Sequence, residues 1–131
     1  MFGWFKRRSP VDDRTWAITQ FRKRREEIES EPEEAQNLFA IVLAAYWKAF
    51  IAVHQSPAHF AKLPRDQQID YFRNLMLLQT NLVERNELEK AIPLEMLGLF
   101  IAAIINEDYA FEQEAANFLE PYSRKGWDIS P

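Results

Sequence analysis

The sequence predicts an all-α protein, a compact single-domain bundle of about five helices, and three observations carry that expectation. Only 3 Gly occur among 131 residues, too few for the tight hairpin turns of a β-rich fold. Two runs, 38–53 (LFAIVLAAYWKAFIAV) and 93–105, are apolar on nearly every side of a helix, and such helices have to be surrounded by others. Elsewhere the apolar residues recur at three- and four-residue spacing, the period of an amphipathic helix. With 47% hydrophobic residues and no cysteine, the chain suits one core without disulfide staples, and so one domain over 1–131.

Residues 1–9 form a basic aromatic segment. Phe2, Trp4 and Phe5 stand beside Lys6, Arg7 and Arg8, the composition of a weak contact with an anionic membrane surface, where each cation gains about 1 kcal/mol. Docking of these aromatic rings on the domain itself is the competing expectation. Ser9 as a cap and Pro10 at the first helical position then open a helix over 10–29. Ile18, Phe21, Arg25 and Ile28 share one face of it, a narrow stripe for an outer helix. Its run Arg22–Arg25 has acids three or four residues away, which favours an ion-paired face over a nucleic-acid site.

Ser30 and Glu33 have the spacing of a capping box and open a helix over 32–55, in which 38–53 is the buried central helix of the bundle. Lys48, its lone cation, has to extend outward or pair with an acid. Ser56-Pro57 starts a short turn over 57–62, halted by Pro64. A helix over 65–85 follows, with Asp66 in its first turn and Ile69, Phe72, Met76 and Val83 as its stripe. Asn86 suits a left-handed terminal residue, and a break is expected before Pro93. The next helix, 93–105, carries Gly98 and Ala102 on one side, small enough to approach Ala40, Ala44, Ala45, Ala49 and Ala52 of the central helix. The last helix, 107–120, buries Phe111, Ala115, Phe118 and Leu119 and stops at Pro121. In the tail, 122–131, Gly126 is expected as a turn, with Trp127 and Ile129 packing back over the bundle.

Charge is unevenly distributed. Residues 1–25 hold eight basic and two acidic side chains, +6, whereas residues 26–131 hold eight basic and eighteen acidic ones, -10, which together give the net charge of -4. Such a chain either folds its basic front onto its acidic body or offers the two ends to different partners. A pI near 5.2 argues against specific nucleic-acid binding. No Gly-rich phosphate cradle, His-Glu-x-x-His, Glu-x-x-His, Gly-x-Ser-x-Gly or nucleophilic Cys is present, so no catalytic residue and no cofactor is assigned. His54 and His59 lie five apart across a Ser-Pro break, which is not a metal-ligand spacing.

The expected function is a non-catalytic helical protein-binding module, an adaptor or inhibitor with the size and charge of toxin-neutralising proteins. It would dock a basic partner through an acidic face at Glu107, Asp108, Glu112 and Glu114. The alternative is a peripheral membrane protein held by Phe2, Trp4, Phe5, Lys6, Arg7 and Arg8, and a further one is a motif-less enzyme with a pocket in the bundle. No uninterrupted apolar stretch precedes Pro10, so the expected location is the cytoplasm, with attachment at the membrane surface under the alternative.

Overall fold

The computed structural model describes residues 9–129; the membrane-contact candidates Phe2, Trp4, Phe5, Lys6, Arg7 and Arg8 lie outside the described residues. Among those described there are six helices and no strand: α1 Arg14–Glu29, α2 Glu33–His54, α3 Pro57–Ala61, α4 Arg65–Glu84, α5 Leu88–Ile105 and α6 Tyr109–Ile129. The all-α bundle expected from composition is therefore the fold.

The local signals were used in a different order from the one expected. Ser9 and Pro10 make a turn, in which the Ser9 carbonyl accepts from the Asp12 and Asp13 amides. The cap of α1 is Asp13, whose carboxylate accepts from the Trp16 amide at 3.0 Å, so the helix begins at Arg14 and not at Pro10. The capping box at Ser30 and Glu33 does not form. Ser30 closes α1 instead, its hydroxyl donating to the Glu26 carbonyl at 2.7 Å, and Pro32 caps α2 without a side-chain bond. Ser56 does cap α3, accepting from the His59 amide at 3.0 Å.

Two helix ends show the same device. Asn86 and Glu107 have φ of 60° and 54°. In each case the amide at the left-handed residue and the one after it reach back to the Val83 and Leu82 carbonyls, or to the Ile104 and Ala103 carbonyls. This is a Schellman closure, which turns the chain sharply with few orphaned carbonyls. Asn86 was expected to do this. Glu107 was not, because a Glu at positive φ is strained.

Both apolar runs pack in the interior, but unequally. α5 is the centre: it touches every other helix, and from Pro93 to Ile105 every residue is buried. α2 buries one face, Phe39, Ala40, Leu43, Ala44 and Phe50, while Leu38 and Val53 remain 46% and 68% exposed. The segment 38–53 thus supplies a wall and not the axis. By length and composition α2 could also cross a membrane, a test that a bundle-core helix passes as well.

Two prolines lie inside helices where stops were expected. α5 begins at Leu88, ahead of Pro93, and α6 continues through Pro121 to Ile129. A proline there removes one backbone bond and costs about 3 kcal/mol. In α6 the loss is offset by anchoring on α2: the Tyr122 hydroxyl donates to Gln36 Oε1 at 3.0 Å, and Phe39 meets Tyr122 edge-on at 5.3 Å. Gly126 is helical and buried against α2, where an added Cβ would stand 2.0 Å from the Ala40 carbonyl oxygen and 2.7 Å from Ala44 Cβ. The alanine stripe of α2 is therefore met by Gly126. Gly98 faces α4 instead, with Met76 Cε 2.6 Å from where its Cβ would be.

Candidate protein-binding surface

α1 lies across α5 and α6, and its arginines are directed at their carboxylates. Arg14 pairs with Asp108. Arg22 grips Glu114 through Nε and Nη2 at 2.8 and 2.9 Å, and Arg25 adds a contact to the same carboxylate at 3.3 Å. Arg24 pairs with Glu95 at 2.6 Å and with Glu27 at 2.8 Å. Gln20 donates to the other Glu95 oxygen at 3.1 Å. The helical spacing of Arg14, Arg22 and Arg25 puts these cations toward α6, while Arg24 and Gln20 reach α5.

These contacts act on the carboxyl groups in opposite directions. The Arg14 guanidinium holds Asp108 below its ordinary value, and Arg22 does the same for Glu114, because each donates to the charged form. Glu95 is fully buried, and desolvation pushes it up despite Arg24 and Gln20. A carboxylate there is tolerable only while its partners remain.

Of the four acids expected to form a docking face, Asp108 and Glu114 are thus engaged by α1. Glu107 accepts from the Tyr109 hydroxyl at 3.3 Å, and Glu112 is half-buried, its carboxyl raised by desolvation. The four stand near one another at the start of α6, and two of the four charges, those of Asp108 and Glu114, are answered by arginines of α1.

In a second acidic region Glu27 is answered by Arg24, and four other acids are not. Residues 26–34, EEIESEPEE, contain six Glu and no Lys or Arg, and they form the corner where α1 turns into α2. Among the described residues, Glu29, Glu31, Glu33 and Glu34 make no ion pair, nor does Glu89 at the start of α5. Between this corner and α5 lies a groove of about 190 Å³. Its apolar lining is Ile28, Ala35, Leu38, Phe39, Ile92 and Pro93, and its two charged side chains are Glu31 and Glu89. Leu88, next to Glu89, is 39% exposed. An apolar hollow lined by unpaired carboxylates suits a bulky apolar side chain with cations beside it.

Two other features carry less chemistry. A cleft of about 240 Å³ between α2 and α6 is lined by Trp47, Pro57, Glu120, Ser123, Arg124 and Trp127. The exposed Lys48 places its ammonium 5.9 Å from the Trp127 ring centroid, so the lone cation of the apolar run lies over an indole. His54 sits among Phe50, Phe60 and Tyr71, with its pKa lowered by burial and by His59. Among the described residues no group of three or more His, Asp or Glu is placed to hold a metal ion.

The corner was legible and was misassigned. Glu26 and Glu27 fit as helical partners of the arginines before them, and Glu33 fits as a capping residue; the surplus appears only when the six are counted together. Glu95 had a signal too, as the lone acid in an apolar run. No protein-family model, curated protein or solved structure matches this chain.

Proposed function

We propose that this protein is a non-catalytic helical module that binds a basic protein partner, as an adaptor or an inhibitor, through the acid-lined groove between α1, α2 and α5. The observation that supports it most is the partition of charge: the arginines of α1 are occupied by Asp108, Glu114 and Glu95, and the unpaired acids collect beside a groove with a predominantly apolar lining and exposed leucine at its edge. Long-range attraction then speeds encounter and the apolar hollow supplies the anchor. The corner is preferred to the face at Glu107, Asp108, Glu112 and Glu114, because a basic partner there would compete with the arginines already on Asp108 and Glu114.

The test is retention of basic proteins from a native extract on the immobilised chain at moderate salt. The wild type and a Glu107→Lys/Glu112→Lys variant should retain the same basic protein, and a Glu31→Lys/Glu34→Lys/Glu89→Lys variant should lose it. Retention by all three, or no basic protein on the wild type, contradicts the proposal. The competing reading is attachment to a membrane, which the apolar exposure of α2 at Leu38 and Val53 would serve. The glutamates at the start of that helix repel an anionic surface, so flotation with anionic vesicles should leave the protein in the dense fraction.

A further inference from the structure

We infer that the groove between α1, α2 and α5 receives the aromatic and basic stretch Phe2–Arg8 of a second copy of this chain. This rests on the groove being a docking site for basic ligands and goes further by naming the occupant. The groove calls for one bulky apolar side chain flanked by cations: among the described residues its lining is aliphatic and aromatic with Glu31 and Glu89 as the charged side chains, and its volume of about 190 Å³ is below the roughly 300 to 1,000 Å³ of drug-sized ligand pockets. Phe-Gly-Trp-Phe-Lys-Arg-Arg at 2–8 presents aromatic anchors directly before three cations. No other stretch of the sequence joins three aromatic residues to three consecutive basic ones.

Chain length keeps the cations of the same molecule away from its own groove. The Val11 carbonyl accepts from Asn106 Nδ2 at 3.0 Å, which ties the start of the described chain to the α5–α6 junction, at the opposite end of α1 from Ile28 and Glu31. From Asp13 to Ile28 the helix rises about 22 Å. The four residues from Ser9 back to Phe5 span at most about 14 Å. Phe5 and the cations after it therefore fall short, and only another copy brings rings and cations to the groove together. Two copies exchanging their segments form a closed pair, whereas one-way exchange builds a chain. An outside basic partner has to displace the segment, so self-association and partner binding compete for one surface.

The test is fluorescence anisotropy of a labelled peptide, MFGWFKRR, titrated with the full-length protein. Binding should be saturable and weaken with salt. It should fall by about tenfold or more for the Glu31→Lys/Glu89→Lys variant, whose folding is checked by circular dichroism. A peptide with Lys6→Glu, Arg7→Glu and Arg8→Glu should lose the wild type and regain the variant. Sedimentation of the full chain should show association that the same two substitutions abolish. Equal binding of the native peptide to wild type and variant, or none to either, overturns the inference. If the peptide fails while a basic protein is still retained by wild type and lost by the variant, the groove stands as a docking site and only its occupant was wrong.

Discussion

The two acidic regions of this bundle differ less in composition than in what faces them. At the start of α6, Asp108 and Glu114 lie under Arg14, Arg22 and Arg25. At the corner between α1 and α2, Glu29, Glu31, Glu33 and Glu34 make no ion pair with a described residue. The difference arises because α1 is basic through Arg25 and acidic from Glu26 onward, so the helix closes on the body through its arginines and ends in a turn of exposed glutamates around Ile28. An acid-rich segment is thus a candidate surface only after the chain's own cations have been accounted for.

The largest effect should come from the innermost of the engaged acids. Arg24→Ala leaves the fully buried Glu95 without its cation and should cost about 3 to 5 kcal/mol in denaturant unfolding. Replacing both residues by Met should be close to neutral or stabilising. Equal losses in the single and double variants would mean that the pair is not what holds α1 to α5.

The seam that sets where these regions stand gives the next effect. Gly126→Ala drives a Cβ into the α2 backbone and should cost about 1 to 3 kcal/mol. Gly98→Ala meets only the end of the flexible Met76 side chain, and the roughly 1 kcal/mol gained in helix propensity should leave it near neutral. Thermal melts of the two variants make the comparison.

Acid titration separates the engaged carboxyl groups by sign. The stability supplied by Asp108 and Glu114 is complete above their ordinary values of 3.8 and 4.5, and is lost as pH falls through their lower folded values. Glu95 and Glu112 are raised by burial, so their protonation favours the folded state. Arg14→Gln with Arg22→Gln should therefore lose less stability than the wild type between about pH 5 and pH 3, measured by urea unfolding. A steeper loss in the variant would reverse the assignment.

Much of the fold was legible because it depends on period and composition. Scarce glycine, the apolar runs and the Ser56-Pro57 start all led to elements that form. What was not legible depends on tertiary contact. Pro93 and Pro121 are local stops, overridden where packing against the bundle outweighs one lost backbone bond. Ser30 could serve either of two helices, and it closes α1. Which of two apolar helices becomes the axis is decided by how many neighbours surround it, and α5 is covered on all sides whereas α2 is not. For the candidate site, charge counting identified a basic front and an acidic body. It could not show that Arg22 and Arg25 would reach Glu114, because an exposed acid and a paired one look alike in sequence.

The distinction between engaged and free acids is tested most directly by urea unfolding of two charge-reversed proteins. Asp108→Lys with Glu114→Lys sets new cations against Arg14, Arg22 and Arg25 and should lower the unfolding midpoint clearly. Glu29→Lys with Glu31→Lys touches no ion pair and should stay within about 0.5 kcal/mol of the wild type. A corner variant as destabilised as the α6 variant would contradict the account, since those glutamates would then be holding the bundle together and not standing free at its surface.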